Sequence, residues 1–209
     1  MIPAMTPEFV HNYLYQIGCA WKNEGVAIEL GSWFGATAVP LLRGLQIAGY
    51  DRKFYAYDRW KANMEQVRKA KEQGVRIKED QDLLPFFLEN AMNGIEIVIH
   101  KGNISKTLRW KGIPIEICIF DAPKQNPVFE HAVRQLGPSF VPGAIWGLLD
   151  YHWWRGRPTE QKKKNAKVSV RFVKRYSAYF EMMQDWGNDC ACAFFIYKGG
   201  LDWNTVRID

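Results

Sequence analysis

The clearest hydrophobic pattern in the chain is Val26-Ala27-Ile28-Glu29-Leu30-Gly31-Ser32-Trp33-Phe34-Gly35. Its first five residues read as a short buried strand, and Gly31 and Gly35 punctuate the segment after it. From Phe34 onward Val39, Leu42, Leu45 and Ile47 recur at helical spacing. The alternation then repeats. Strands are expected at 53–60, 95–100, 115–121 and 144–149. Helices are expected from Glu8 to about Lys22, within 61–79, over Asp80–Asn93 and from Pro127 to Leu136. Thr6-Pro7-Glu8 reads as an N-cap, a proline at the first helical position and an acid in the first turn. Residues 159–176 read as one basic helix. Phe180–Trp186 and Cys190–Tyr197 flank a Gly187-Asn188-Asp189 turn as a closing hairpin. Strands alternating with helices make an α/β protein with a mostly parallel sheet.

Strand, glycine turn and helix form the ligand-binding unit of open α/β sheets, with ligands at the carboxyl ends of the strands. Gly31 allows backbone conformations closed to other residues and a close approach to the main chain. A helix starting near Phe34 offers free N–H groups to a carboxylate or phosphate. A dinucleotide fingerprint needs glycine where Trp33 stands and again where Ala36 stands, which disfavours a nicotinamide oxidoreductase. No Lys-Ser or Lys-Thr follows the glycines, so there is no P-loop. The second strand ends in Asp58, 27 residues after Gly31. A carboxylate is acceptor-only and suits a ribose diol that must donate twice. Trp60 is open to two readings, stacked on an adenine or packed under a loop.

Length and charge bound the rest. The 209 residues suffice for one domain with a sizeable core. No run of about 18 apolar residues suggests a membrane span, and the first eight residues lack a basic region leading into an apolar one, so a cytoplasmic protein is expected. Cys19, Cys118, Cys190 and Cys192 match no zinc spacing and are expected as reduced thiols. Residues 155–175 hold nine Lys and Arg against the single acid Glu160, so the chain's formal +6 is +8 there and −2 elsewhere. This patch invites an acidic partner: a nucleotide-sugar phosphate, a phosphorylated glycan or nucleic acid. No recognition motif accompanies it, which keeps nucleic acid in second place.

The Glu29-x-Gly31-x-x-x-Gly35 pattern resembles motif I of class I S-adenosylmethionine (SAM)-dependent methyltransferases. The likeness extends through Ile115–Asp121, the Pro142-Gly143 pair and the strand ending in Asp150-Tyr151-His152. It is greatest to the branch that includes macrolide-sugar (macrocin-type) O-methyltransferases. The resemblance implies a Rossmann-like, doubly wound sheet with a C-terminal antiparallel hairpin in a single domain. Residues 1–25 would be an N-terminal helix, 26–152 the cofactor core, and 153–209 the basic helix and hairpin. It also implies that Glu29, Gly31, Ser32 and Gly35 hold the methionine end of SAM, Asp58 the ribose, and Asn103 a place near the adenine. Asp121 and Asp150 fall at the reaction edge, where relatives hold magnesium, although the adjacent acid pair of those relatives is missing beside Asp150. His152 is a candidate general base, and Tyr151, Trp153 and Trp154 stand where acceptors enter. The expected reaction is O-methylation of a small molecule or sugar. A nucleic-acid methyltransferase or binding protein using residues 155–175, and a non-catalytic Rossmann-like interaction module, are the alternatives.

Overall fold

The computed structural model describes residues 2–92 and 94–208. Seven strands form one sheet in the order β3-β2-β1-β4-β5-β7-β6. They are β1 (Val26–Leu30), β2 (Phe54–Asp58), β3 (Ile97–Lys101), β4 (Ile115–Phe120), β5 (Phe140–Leu148), β6 (Phe180–Asp185) and β7 (Ala193–Tyr197). The first five run parallel, whereas β7 is antiparallel to both β5 and β6. This is the expected mostly parallel sheet with a closing hairpin.

Every position of β1 is buried, as its nearly unbroken apolar run requires of a central parallel strand. Successive side chains alternate between two cores. Val26, Ile28 and Leu30 join Phe129, Trp146 and Phe172 on one face, beneath α6 (Val128–Leu136) and α8 (Val168–Arg175). Ala27 faces the other core, with Leu14, Leu41 and Phe87 from α1 (Glu8–Cys19), α2 (Ala38–Ile47) and α4 (Leu84–Ala91). From β1 the chain builds outward through β2 and β3, then returns to the opposite side of β1 for β4. That reversal opens a crevice between the carboxyl ends of β1 and β4.

Several boundaries differ from expectation for visible reasons. Thr6 does not cap α1; its hydroxyl meets the His11 ring at 2.8 Å, and Pro7 occupies the N-cap. α2 starts at Ala38, four residues later than expected. Gly35 takes φ +89° in a turn closed by its N–H on the Ser32 carbonyl at 2.6 Å. Within 61–79 the helix is α3 (Met64–Glu72), closed by an Asn63–Gln66 capping box. The helix expected over Asp80–Asn93 is α4, and Asn93 lies outside the described residues. A one-turn α5 (Ile104–Thr107) follows β3. The single basic helix is two, α7 (Glu160–Ala166) and α8, divided at Lys167, whose ψ of 5° is not helical. The division lets Val168, Phe172 and Val173 turn onto the sheet while most of α7 stays in solvent. Among the described residues no helix is long and apolar enough to cross a membrane.

α1 and α2 cross through glycines. A Cβ on Gly44 would collide with the Tyr15 carbonyl oxygen, and one on Gly18 would fall 2.7 Å from the Leu45 amide. Alanine is favoured over glycine within a helix by about 1 kcal/mol, so propensity and packing oppose each other here. Packing should win: Gly44→Ala is expected to lower the unfolding free energy in urea by about 2 kcal/mol or more.

Candidate functional site

The carboxyl end of β2 is the hub of the crevice. The Tyr57 carbonyl accepts from the Gly31 amide at 2.7 Å, and the Asp58 carbonyl from the Gly102 amide at 2.8 Å. The Asp58 side chain accepts from the Trp33 amide at 3.0 Å on one oxygen and from the Trp60 amide at 2.6 Å on the other. One aspartate thus ties together the loops after β1, β2 and β3. Each carboxylate oxygen keeps capacity for a second donor. Burial raises the Asp58 pKa, against the two amides that favour its charged form. Trp60 is not an adenine platform. It is wholly buried, packs on Phe87, and donates its indole N–H to the Trp33 carbonyl at 3.0 Å.

Gly31 sits at φ +105°, and a Cβ there would lie 2.7 Å from the Ala122 amide. The chain just after β4 therefore packs directly on Gly31, where no side chain could fit. Ser32 and Trp33 are buried beside it, and the Trp33 indole N–H has no partner among the described residues. Glu29 is fully buried and holds the loop from within, accepting from the Thr37 hydroxyl at 2.6 Å. Burial lifts its pKa to about 7, against the Thr37 and Ser32 hydroxyls. Asn103 is exposed and caps α5 by accepting from the Ser105 amide at 3.0 Å.

Asp121 and Asp150 meet at the carboxyl ends of β4 and β5. Each acts on the other's ionisation. Burial first, and for Asp121 also the Asp150 charge, raises both pKa values, Asp121 well above the carboxylate range. Lys124 places its ammonium 2.9 Å from Asp150. Burial disfavours the charged lysine, but Asp150 and Asp121 together outweigh it and the pKa stays above its usual value.

This arrangement does not fit the magnesium site expected on Asp121 and Asp150. No group of three or more His, Cys, Asp or Glu side chains suited to a metal exists among the described residues. Asp150 already faces the Lys124 ammonium and only two carboxyls stand here, whereas a hard cation needs several oxygen ligands. Lys124 already supplies the positive charge. Sequence reasoning misses this lysine, although its place three residues after Asp121 in a strand-end loop is visible in the chain.

His152 lies two residues beyond Asp150. Its Nε2 is 2.7 Å from Asp185 Oδ1, at the end of β6, and its side chain is only 10% exposed. A carboxylate accepts only, so the ring donates from Nε2 to Asp185. Nδ1 is buried without a partner among the described residues. Nothing in the sequence singles out Asp185, because only the hairpin brings it to His152. Tyr151 is buried against Phe195, with ring centroids 5.2 Å apart. Trp153 and Trp154 remain partly exposed. All four cysteines are free; burial raises the pKa of Cys118 and of Cys192, whose thiol donates to the Leu149 carbonyl. An apolar hollow of about 580 Å³, lined by Leu88, Met92, Ile95 and Ile97, lies at the amino end of β3, away from these groups.

No protein-family profile and no curated protein sequence matches the chain. Solved structures do resemble it. The O-methyltransferase NovP aligns with a TM-score of 0.60 and 14% identity, over 92% of this chain and 79% of that one. CalS11, a TDP-rhamnose 3'-O-methyltransferase in calicheamicin biosynthesis, aligns at 0.54 and 15%, over 92% and 78%. TomG from Streptomyces achromogenes, an O-methyltransferase of tomaymycin synthesis solved with SAM, aligns at 0.56 and 16%, over 94% and 82%. At these identities the likeness is one of fold, and the expected Rossmann-like, doubly wound sheet with its closing hairpin is borne out.

Glu29 makes the pH dependence of stability testable. Its folded pKa of about 7 exceeds the unfolded value of 4.5, so folding takes up a proton between those limits. Stability from this group is present below pH 4.5 and is lost as pH rises through 7. Relative to wild type, Glu29→Gln should gain about 3 kcal/mol between pH 4.5 and 8 in urea unfolding.

Proposed function

We propose that the protein is a SAM-dependent methyltransferase acting on a hydroxyl of a small molecule or sugar. The observation that carries this reading is the β1–β4 switch point, where the glycine loop after β1 is tied by its Trp33 amide to the Asp58 carboxylate. The fold neighbours named as O-methyltransferases, one of them solved with SAM, support it.

The residues present fit such a cofactor. Gly31, Ser32 and Gly35 bracket its methionine end, and Glu29 keeps their loop in place through Thr37. Asp58 accepts from the ribose hydroxyls with the lone pairs that Trp33 and Trp60 leave free. Asn103 stands near the adenine, and Asp121 marks the reaction edge. When bound, SAM supplies an electrophilic methyl group on its sulfonium.

The protein's own work is orientation and proton removal. Asp150, held by Lys124, accepts from the acceptor hydroxyl and aligns it. His152 takes the hydroxyl proton on Nδ1, and Asp185 on Nε2 stabilises the imidazolium that results. No divalent ion enters this scheme, since Lys124 provides the fixed positive charge beside the two acids.

Calorimetric titration with S-adenosylhomocysteine should show micromolar binding that Asp58→Ala weakens at least tenfold, about 1.4 kcal/mol. No binding by a well-folded protein would return the reading to a non-catalytic Rossmann-like module. Once an acceptor is in hand, His152→Gln should lower kcat by about 10²- to 10⁴-fold without changing S-adenosylhomocysteine affinity. A chelator should leave turnover intact.

A further inference from the structure

The acidic edge continues outward as a run of alternating cations and indoles. Lys124, paired with Asp150, lies 5.6 Å from the Trp153 ring centre, and the Arg157 guanidinium covers the same ring at 3.8 Å. Lys167 stands 4.0 Å over Trp154. The charge of Arg157 is felt at Asp150, so this run and the acceptor edge share one electrostatic environment. Cation–π contacts hold these groups without neutralising them.

The remaining chemistry is one-sided. Arg155 is committed to the Gly187 carbonyl and the Asn188 side chain, and Lys163 to Glu160. Arg157 and Lys167 have no ion pair among the described residues. Two donors here, Arg157 Nε and Trp154 Nε1, are buried without any hydrogen-bond partner among the described residues. A buried donor left unpaired costs about 1–3 kcal/mol, and these two belong to one short segment, 154–157, beside the acceptor edge. What they lack is an acceptor-rich anion. A planar guanidinium, an ammonium and an indole N–H match the several oxygens of a phosphate ester.

Resting on the methyltransferase reading, we propose that the acceptor carries a phosphate or diphosphate ester, seated on Arg157, Lys167 and the Trp154 indole N–H while its hydroxyl lies at Asp150. Binding at this remote group orients the reacting hydroxyl without touching it. The division of the basic segment serves the same end, because Lys167 stands at the break between α7 and α8 and so turns toward Trp154.

The test is calorimetric titration of the full chain with inorganic pyrophosphate at fixed ionic strength, alongside S-adenosylhomocysteine. Wild type, Arg157→Gln, Lys167→Gln and the distant control Lys198→Gln are compared, with thermal melting to verify folding. Saturable one-site binding, weakened at least tenfold by Arg157→Gln and at least threefold by Lys167→Gln and unchanged in the control, is expected. S-adenosylhomocysteine affinity should stay within twofold throughout. Should Arg157→Gln fail to fold, Lys167→Gln, on a half-buried residue at the helix break, decides alone. Non-saturable pyrophosphate binding, or binding indifferent to both substitutions, would overturn the proposal and leave the transferase reading standing. Pyrophosphate binding by a protein that ignores S-adenosylhomocysteine would overturn the acceptor assignment together with that reading. A single-stranded oligonucleotide that binds more tightly with length, with a steep salt dependence insensitive to Arg157→Gln, would overturn it in favour of nucleic acid.

Discussion

The crevice depends on a single half-buried carboxylate. Asp58 accepts main-chain hydrogen bonds from Trp33 and Trp60, and its own carbonyl accepts from Gly102. Three loops from three parallel strands are thereby held at fixed separations by one residue. Trp60 closes the arrangement from below with its indole N–H on the Trp33 carbonyl. Both tryptophans adopt positive φ, 41° and 45°, an uncommon state for bulky residues. Surrounding bonds must hold them there, and Asp58 supplies one to each. The groups that set the glycine loop after β1 are thus the groups that keep the sheet's carboxyl end in shape.

A second edge, at β4 and β5, is organised by charge. Burial and the Asp150 charge both oppose ionisation of Asp121. Lys124 makes the Asp150 charge tolerable inside the protein. Nearby, His152 and Asp185 form a separate pair that needs the closing hairpin to exist. The antiparallel β6–β7 extension therefore does more than cover an edge: it carries the residue that accepts from the histidine's Nε2. Beyond both pairs lie the Trp153 and Trp154 rings with cations over their faces.

Local features are the ones legible in the sequence. Strand-end residues such as Gly31, Asp58, Asp121 and Asp150 can be read because a short apolar run reports its own terminus, and parallel strands deliver their termini to one edge. Pairings across the fold cannot. Asp185 reaches His152 across 33 positions, and no periodicity announces that meeting. Lys124 is hidden differently: a lone lysine in a loop reads as solvated, and only its 2.9 Å approach to Asp150 shows why magnesium does not fit. Trp60 takes its other reading and packs in the core, because burying the whole indole outweighs displaying it at a ligand face. The late start of α2 and the break at Lys167 are tertiary choices, made where a glycine turn and a buried helix face override a continuous helical pattern.

A crystal structure of the complex with S-adenosylhomocysteine would probe the role of Asp58 at first hand. Both ribose hydroxyls should lie within about 2.5–3.0 Å of the Asp58 carboxylate oxygens, with the amino-acid end of the ligand over the Gly31 main chain. A nucleoside bound elsewhere, for instance in the apolar hollow beside Leu88 and Met92, with Asp58 still bonded only to Trp33 and Trp60, would refute that role.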